Sequence, residues 1–360
     1  MKPQWIFDNN ALARFRSFIE IISPSMEEVS MADFLRKMYH EAGILVKTDV
    51  MGNVYGLLNT DNALNLGIVA HMDTVAVQIT NILPNGFLQL RHIGLRPHTL
   101  LGQPMKVVTP NGVINGVIGF DPTSQYGQPK GLIEEDLWMD IGAKDHEHAK
   151  SMVRVGDLAV LEPRFFEMGE TFISGTAIDD RVGLFIMSEC MKWFTEHPTK
   201  VNLRFVGSVQ EEVGLRGSSI IASNAKLDAC IVLDVDYATD TPTPHENQMG
   251  KLYMGKGVGV HRKSDVNPIL LQLAMNIAKD NGIAHQVSLG RFIYGGTDST
   301  AMQIQQMGIA TLNLSIPCRY MHSPIEMCHK KDIESCIQLL IALIDDLSRS
   351  KRNSFIPGID

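Results

Sequence analysis

Long apolar runs are missing from this sequence. No stretch reaches the eighteen or so uninterrupted apolar residues that a membrane-spanning helix needs. The opening MKPQWIFDNNALARF places Asp8 where a secretory leader would carry its hydrophobic segment, so no signal peptide is expected. Basic excess is missing too: 32 Lys and Arg stand against 40 Asp and Glu, a net charge of -8, evenly spread. That leaves no footprint for nucleic acid or an anionic membrane surface. Cysteine is scarce. The five (Cys190, Cys230, Cys318, Cys328 and Cys336) are odd in number and form no CxxC pair. This argues against a thiolate zinc site and fits reduced thiols in a cytoplasm. HExxH, GxSxG and Walker A motifs are all absent, as are internal repeats and low-complexity tracts.

What is present is ordinary globular composition, 44% hydrophobic and 20% charged over 360 residues, enough for a large core and two domains. Two helices are expected first, through ALARFRSFIEII and after SPSMEE, where Ser25 and Glu28 have capping-box spacing and Gly43 supplies a stop. GILVKTDVMGNVYGLL reads as two strands around a turn at Met51-Gly52-Asn53, and LGIVA as a further strand. From about residue 77 the chain becomes rich in Gly, Pro and Asn with short alternating runs, the texture of a small β-domain, broken by an expected helix in WMDIGAKDHEHAKSMV. After GTAIDDRVG, strands alternate with long helices again. This predicts an α/β fold: a mainly parallel sheet sandwiched by helices, with an inserted small β-domain. The division is 1–76 and 166–360 for the sheet domain and 77–165 for the insertion.

Four apolar runs end in residues able to bind metal. LGIVA leads to His71 and Asp73, LRFVGSV to Glu211 and Glu212, ACIVL to Asp234, and TLNLSI to His322. A fifth segment puts Asp179 and Asp180 just before a helix. In open α/β sheets, ligand sites collect beyond the carboxyl ends of the strands. Two imidazoles with several carboxylates and no thiolate suit Zn, Co or Mn. A pair of metals with a bridging carboxylate needs about five protein ligands. His71, Asp179, Glu212, Asp234 and His322 make five, which leaves Glu211 free as a general base. Taken singly, each residue has a simpler reading as a cap, a turn or a loop histidine. Their coincidence at strand ends carries the argument. DHEH at 145–148 reads as solvated surface. GKGVGV at 255–260 lacks the following helix of a phosphate loop. YGGTDST, with Asp298, is a candidate loop near a substrate, although a helix cap by Thr297 or Asp298 is the simpler reading.

The order AHMD, AIDDRVG, QEEVGLRG, LDVD, YMHSPIE resembles the TET-type co-catalytic metallo-aminopeptidases, the glutamyl and leucyl aminopeptidase group, members of which also carry endoglucanase or cellulase-like names. The resemblance spans most of the chain. It implies a zinc-exopeptidase fold whose inserted β-domain serves dimerisation, with dimers building a dodecamer. It implies two divalent metal ions per subunit, zinc first and Co or Mn as substitutes. His71, Asp179 and Asp234 would hold one metal, and Asp179, Glu212 and His322 the other. Asp73 would orient His71, Glu211 would be the base, and the Asp179–Asp180 peptide would be cis. The implied substrates are peptides with a free N-terminus. Thr74 and Val75 depart from the Glu-Ile common in the group. HMDTV is closer to related dipeptidases and N-acyl amino acid deacylases, the alternative function. Val258 stands where a proline is frequent. A glycosidase built on paired carboxylates would leave both histidines unexplained.

Overall fold

The computed structural model describes residues 5–59, 61, 64–120, 137–243, 246–291, 293, 295–350 and 354–358. Elements are numbered along the chain. The central sheet holds eight strands, in spatial order β1 (Leu45–Thr48), β2 (Val54–Leu58), β12 (Asn202–Ser208), β3 (Asn65–His71), β13 (Ala229–Tyr237), β16 (Ala310–Cys318), β14 (Val258–His261) and β15 (His285–Ser288). The four middle strands, β12-β3-β13-β16, run parallel. Outside them β1–β2, β2–β12 and β14–β16 are antiparallel. The sheet is therefore mixed, and the expected mainly parallel arrangement holds at its centre. At the β1 edge the reason is the short connection. Asp49 Oδ1 accepts from the amides of Met51, Gly52 and Asn53, closing a turn too tight for a parallel crossover.

Helices cover both faces, which is why the four central strands are buried along almost their whole length and mostly apolar. Leu66, Ile68 and Ala70 of β3 face a layer built from α1 (Asn9–Ile19), α2 (Val29–Glu41), α4 (Ile178–Glu196), α7 (Pro268–Asn281) and α9 (Lys330–Arg349). Val69, Val206 and Val232 face α5 (Arg216–Asn224) and α8 (Asp298–Gln303). Each such buried Val, Leu or Ile contributes roughly 1.5–3 kcal/mol. Among the described residues, no helix is long and apolar enough to cross a membrane, and all five cysteines are buried free thiols.

Between β3 and α4 the chain closes a six-stranded antiparallel barrel from β4 (Ala76–Ile82), β5 (Leu88–Ile93), β6 (Pro104–Thr109), β7 (Gly112–Phe120), β8 (Leu137–Asp140) and β9 (Leu158–Leu161). β9 pairs with both β4 and β6, so the barrel has no free edge. Its interior is apolar, with Val77, Leu88, Met105, Val107 and Met139 at the centre. The expected helix in WMDIGAKDHEHAKSMV is shorter than predicted. Trp138 to Asp140 belong to β8, Gly142 takes a left-handed φ of 72°, and α3 (His146–Met152) begins only where Asp145 caps the amide of His148. A three-stranded sheet of β10 (Phe165–Met168), β11 (Phe172–Gly175) and β17 (Glu326–His329) was not foreseen. Its register sets Gly175 opposite Glu326, so the chain enters α4 beside that glutamate. A single helical turn, α6 (Glu246–Met249), completes the fold.

The capping box at the start of α2 does not form. Glu28 is the cap residue but makes no side-chain cap bond, and the Ser25 hydroxyl donates to Asp73 Oδ2 at 2.7 Å. Both side chains are drawn instead toward the carboxyl edge of the sheet. Gly43 does end the helix, at φ 70° with its amide on His40 O.

Candidate metal centre

Parallel register gathers the expected residues at one edge. His71 closes β3 opposite Ser208, the last residue of β12, and the loop after β12 carries Glu211 and Glu212. Asp234 lies in β13, and His322 follows β16. Asp179 and Asp180 open α4 after a left-handed Ala177, and their shared peptide is cis. Gly183 is required there, because a Cβ would stand 2.3 Å from Asp180 Oδ1, which accepts the Gly183 amide at 2.9 Å.

Asp179 is the hub. Its Oδ1 lies 3.0 Å from His71 Nε2 and its Oδ2 3.2 Å from His322 Nε2, so each oxygen addresses one imidazole. His322 Nε2 is also 3.3 Å from Glu212 Oε1. His71, Asp179 and Glu212 bring candidate donor atoms within 4.8 Å of one another, and so do His71, Asp180 and Asp234. The second group contains Asp180 where the sequence analysis had Asp179. Asp180, however, is engaged by backbone: Oδ2 accepts from His71 N at 3.2 Å and Oδ1 from Gly183 N. On the far side of the His71 ring, Nδ1 meets the Asp73 carbonyl at 3.0 Å and the Asp73 carboxylate at 3.4 Å.

The loop after β12 is held by its amides. Val209 N donates to Asn53 Oδ1, Gln210 N to Glu28 Oε1, Glu211 N to Asp73 Oδ1 and Glu212 N to Asp73 Oδ2, all within 3.0 to 3.2 Å. Four consecutive amides are thus fixed by side chains from three distant segments, leaving both glutamate side chains free for the site. Gly217 lets the chain return, since a Cβ there would meet Asn53 Oδ1 and Val209 O at 2.4 Å. Glu326, which the sequence analysis quoted but gave no role, ties two donor segments together. Its oxygens accept from Asp179 N at 2.9 Å and His322 N at 2.8 Å. Arg181, fully buried behind the site, donates to Met72 O at 2.5 Å and Ile21 O at 3.2 Å. No sequence signal separates these supporting residues from ordinary loop or helix positions.

Negative charge dominates the electrostatics. Burial, followed by the neighbouring Asp179, pushes Asp234 up to about 8. Burial raises Glu212 and drives Glu211 well above the usual carboxylate range, with Glu212 and Asp234 adding to the latter. Burial opposes charge on Asp179, yet the hydrogen-bonding His322 and His71 hold it well below that range. Burial likewise opposes charge on His322, but Asp179 and Glu212 push it up to about 12. Glu212 Oε1 is buried, and the His322 Nε2 at 3.3 Å does not make a well-directed hydrogen bond to it. Carboxylates crowded this way lack positive charge, and a divalent cation between oxygen and imidazole donors would supply it. The residues present fit such a group.

A cavity of about 390 Å³ opens on the cluster, lined by Asp179, Glu211, Glu212, Asp234 and His322, with Lys263 and Thr297 among the other wall residues. YGGTDST borders it through Gly295, Gly296 and Thr297. Neither Thr297 nor Asp298 acts as the expected side-chain cap. Asp298 is buried at the start of α8 and accepts from Ser208 Oγ at 2.5 Å. The GKGVGV stretch binds no phosphate here, for the amides of Gly255 and Gly257 both donate to Asp332 at 2.7 Å.

Comparison with known proteins adds a family. The M42 glutamyl aminopeptidase profile matches residues 52–339. Lysyl aminopeptidase of Pyrococcus furiosus is 32% identical over 329 residues, covering 89% of this chain and 92% of that protein. The TET aminopeptidase of a marine sediment archaeon, Thaumarchaeota archaeon, superposes with a TM-score of 0.89 at 28% identity, covering 95% of this chain and 97% of that one. The Pyrococcus horikoshii TET1 peptidase, described as assembling into a tetrahedron or a large octahedral shell, gives a TM-score of 0.83 at 29% identity over 93% and 99% of the two chains.

Proposed function

This chain belongs to the M42 glutamyl aminopeptidase family and is a hydrolase acting as an exopeptidase on peptides, and we propose that it does so through a pair of divalent metal ions and a glutamate base. His71, Asp179 and Asp234 would hold one ion, and Asp179, Glu212 and His322 would hold the other. The observation that carries this reading is Asp179, whose two oxygens address two different imidazoles. When bound, the ions supply an acidified water and a polarised scissile carbonyl. Glu211 takes the proton of the attacking water and returns it to the leaving amine. Asp73 fixes the His71 ring and, through two amides, the position of Glu211 and Glu212. Zinc is the first choice of ion, with cobalt or manganese compatible with the same donors.

The inserted segment 77–165 acts in dimerisation, and residues 1–76 with 166–360 form the catalytic domain. Dimers assemble further to a dodecamer, a reading supported by the related PhTET1-12s structure, which is described as a dodecamer. Cytoplasmic residence agrees with five reduced, buried cysteines. The dipeptidase or deacylase alternative is not favoured, because the family and the matched relatives carry aminopeptidase names.

The test is a panel of aminoacyl-p-nitroanilides with an N-acetylated control, assayed before and after EDTA and after Zn, Co or Mn is restored. Cleavage confined to free amines, lost with EDTA and regained with metal, is the expected result. Activity indifferent to EDTA would remove the metal mechanism.

A further inference from the structure

Beside the cavity at the metal centre lies a second, of about 480 Å³. The two share Tyr237 and Arg291 as a common wall. Their charge characters differ. The first is crowded with carboxylates, although Lys263 and Arg291 also line it. In the second, the charged side chains among the described lining residues are both arginines, Arg291 and Arg96. Arg96 comes from the barrel, on the connection between β5 and β6, and its guanidinium has no hydrogen bond or ion pair among the described residues. The nearby acid Asp240 is already committed, accepting from Arg319 at 3.0 and 2.7 Å. Thr239, Thr241 and Tyr320 add neutral polar groups to the wall.

We infer that the second cavity is a site for the α-carboxylate of a short peptide whose N-terminal residue lies at the metal centre, with Arg96 as the counter-charge. This rests on the aminopeptidase reading. A short peptide carries a positive amine at one end and a negative carboxylate at the other. The paired cavities present that polarity in reverse, acidic at one end and basic at the other. A guanidinium matches a carboxylate with two parallel N–H donors, and Arg96, exposed to solvent, has its donors open to a ligand. An extended chain advances at most about 3.3–3.6 Å per residue, so a fixed span between the two cavities selects a narrow range of peptide lengths. Arg96 is thereby a specificity residue for peptide length and for the free carboxylate, supplied by the barrel and not by the sheet.

The experiment uses the metal-loaded full chain and a ladder of short alanine peptides, dipeptide upward. Each begins with the residue preferred in the nitroanilide panel, and each is made as free acid and as C-terminal amide. The expected result is a kcat/KM advantage for the acid at one short length, about fivefold, the size of a partly exposed charge pair. The advantage fades in longer peptides. Arg96→Ala removes it and leaves nitroanilide cleavage unchanged, and Arg96→Lys restores part of it. Equal rates for acid and amide at every length, with nitroanilides still cleaved, overturn the inference and leave the aminopeptidase reading standing. So does an acid advantage that survives Arg96→Ala. Failure to cleave any free-amine nitroanilide removes the aminopeptidase reading and the inference with it.

Discussion

At the carboxyl edge of the central sheet, buried polar atoms go without partners: Glu212 Oε1, His261 Nδ1, Thr297 Oγ1 and Asp298 Oδ1. In the barrel, among the described residues, no buried side-chain nitrogen or oxygen is left in that condition. Both regions are made of buried strands, and both come from one chain. A buried polar group without a partner costs about 1–3 kcal/mol, so the sheet edge gives up stability that the barrel keeps. The difference separates a place prepared for something to bind from a place prepared to stay closed. It also explains why the supporting hydrogen bonds crowd around the first region. Asp73, Glu28, Asn53 and Glu326 hold amides so that the remaining carboxylates can stay unsatisfied without the loops collapsing onto them.

Three substitutions sharpen or break this contrast. Glu211→Gln keeps the size of the side chain and removes its basicity. It is expected to lower kcat by about a hundred- to ten-thousandfold, with melting temperature and metal content close to the parent. Leu88→Ala opens a hole in the barrel interior, where Leu88 is fully buried. Denaturant melts should show a loss of about 2–5 kcal/mol, while the folded fraction keeps its kcat on a nitroanilide. Asp73→Asn turns one acceptor into a donor beside Glu211 N, Glu212 N or the Ser25 hydroxyl. Chelator competition should show metal affinity about ten- to a hundredfold weaker, with a smaller effect on melting. A barrel substitution that cut kcat, or an Asp73 substitution that moved stability alone, would undo the distinction.

The sequence made the donors legible because strand ends are legible. An apolar run followed by His or a carboxylate marks both the end of a strand and the edge where a parallel sheet collects its ligands, as at His71 and Glu212, whereas β13 runs three residues past Asp234. The barrel was visible as a change of texture, not as six particular strands. The mixed character of the sheet was hidden, because strand direction depends on which neighbours pair. Ser25 and Glu28 show the limit most clearly. Their spacing is that of a local cap, but a buried Asp73 and the Gln210 amide lie close by, and long-range bonds won. Asp180 was marked only as a possible ligand, and Arg181 and Glu326 carried no mark of their supporting roles. Each acts through a partner more than a hundred residues away along the chain.

Those separations bear on how the enzyme comes into being. His71 meets Asp179 across 108 residues, Asp73 meets Glu211 across 138, and Asp179 meets Glu326 across 147. Contacts this distant form late, after the loops between them have closed. During synthesis, a chain that has not reached residue 322 lacks both His322 and Glu326, the glutamate that ties it to Asp179. An emerging polypeptide therefore holds histidines and carboxylates but no assembled peptidase. The site is complete only once the last strands, which bring in His322 and Glu326, are in place.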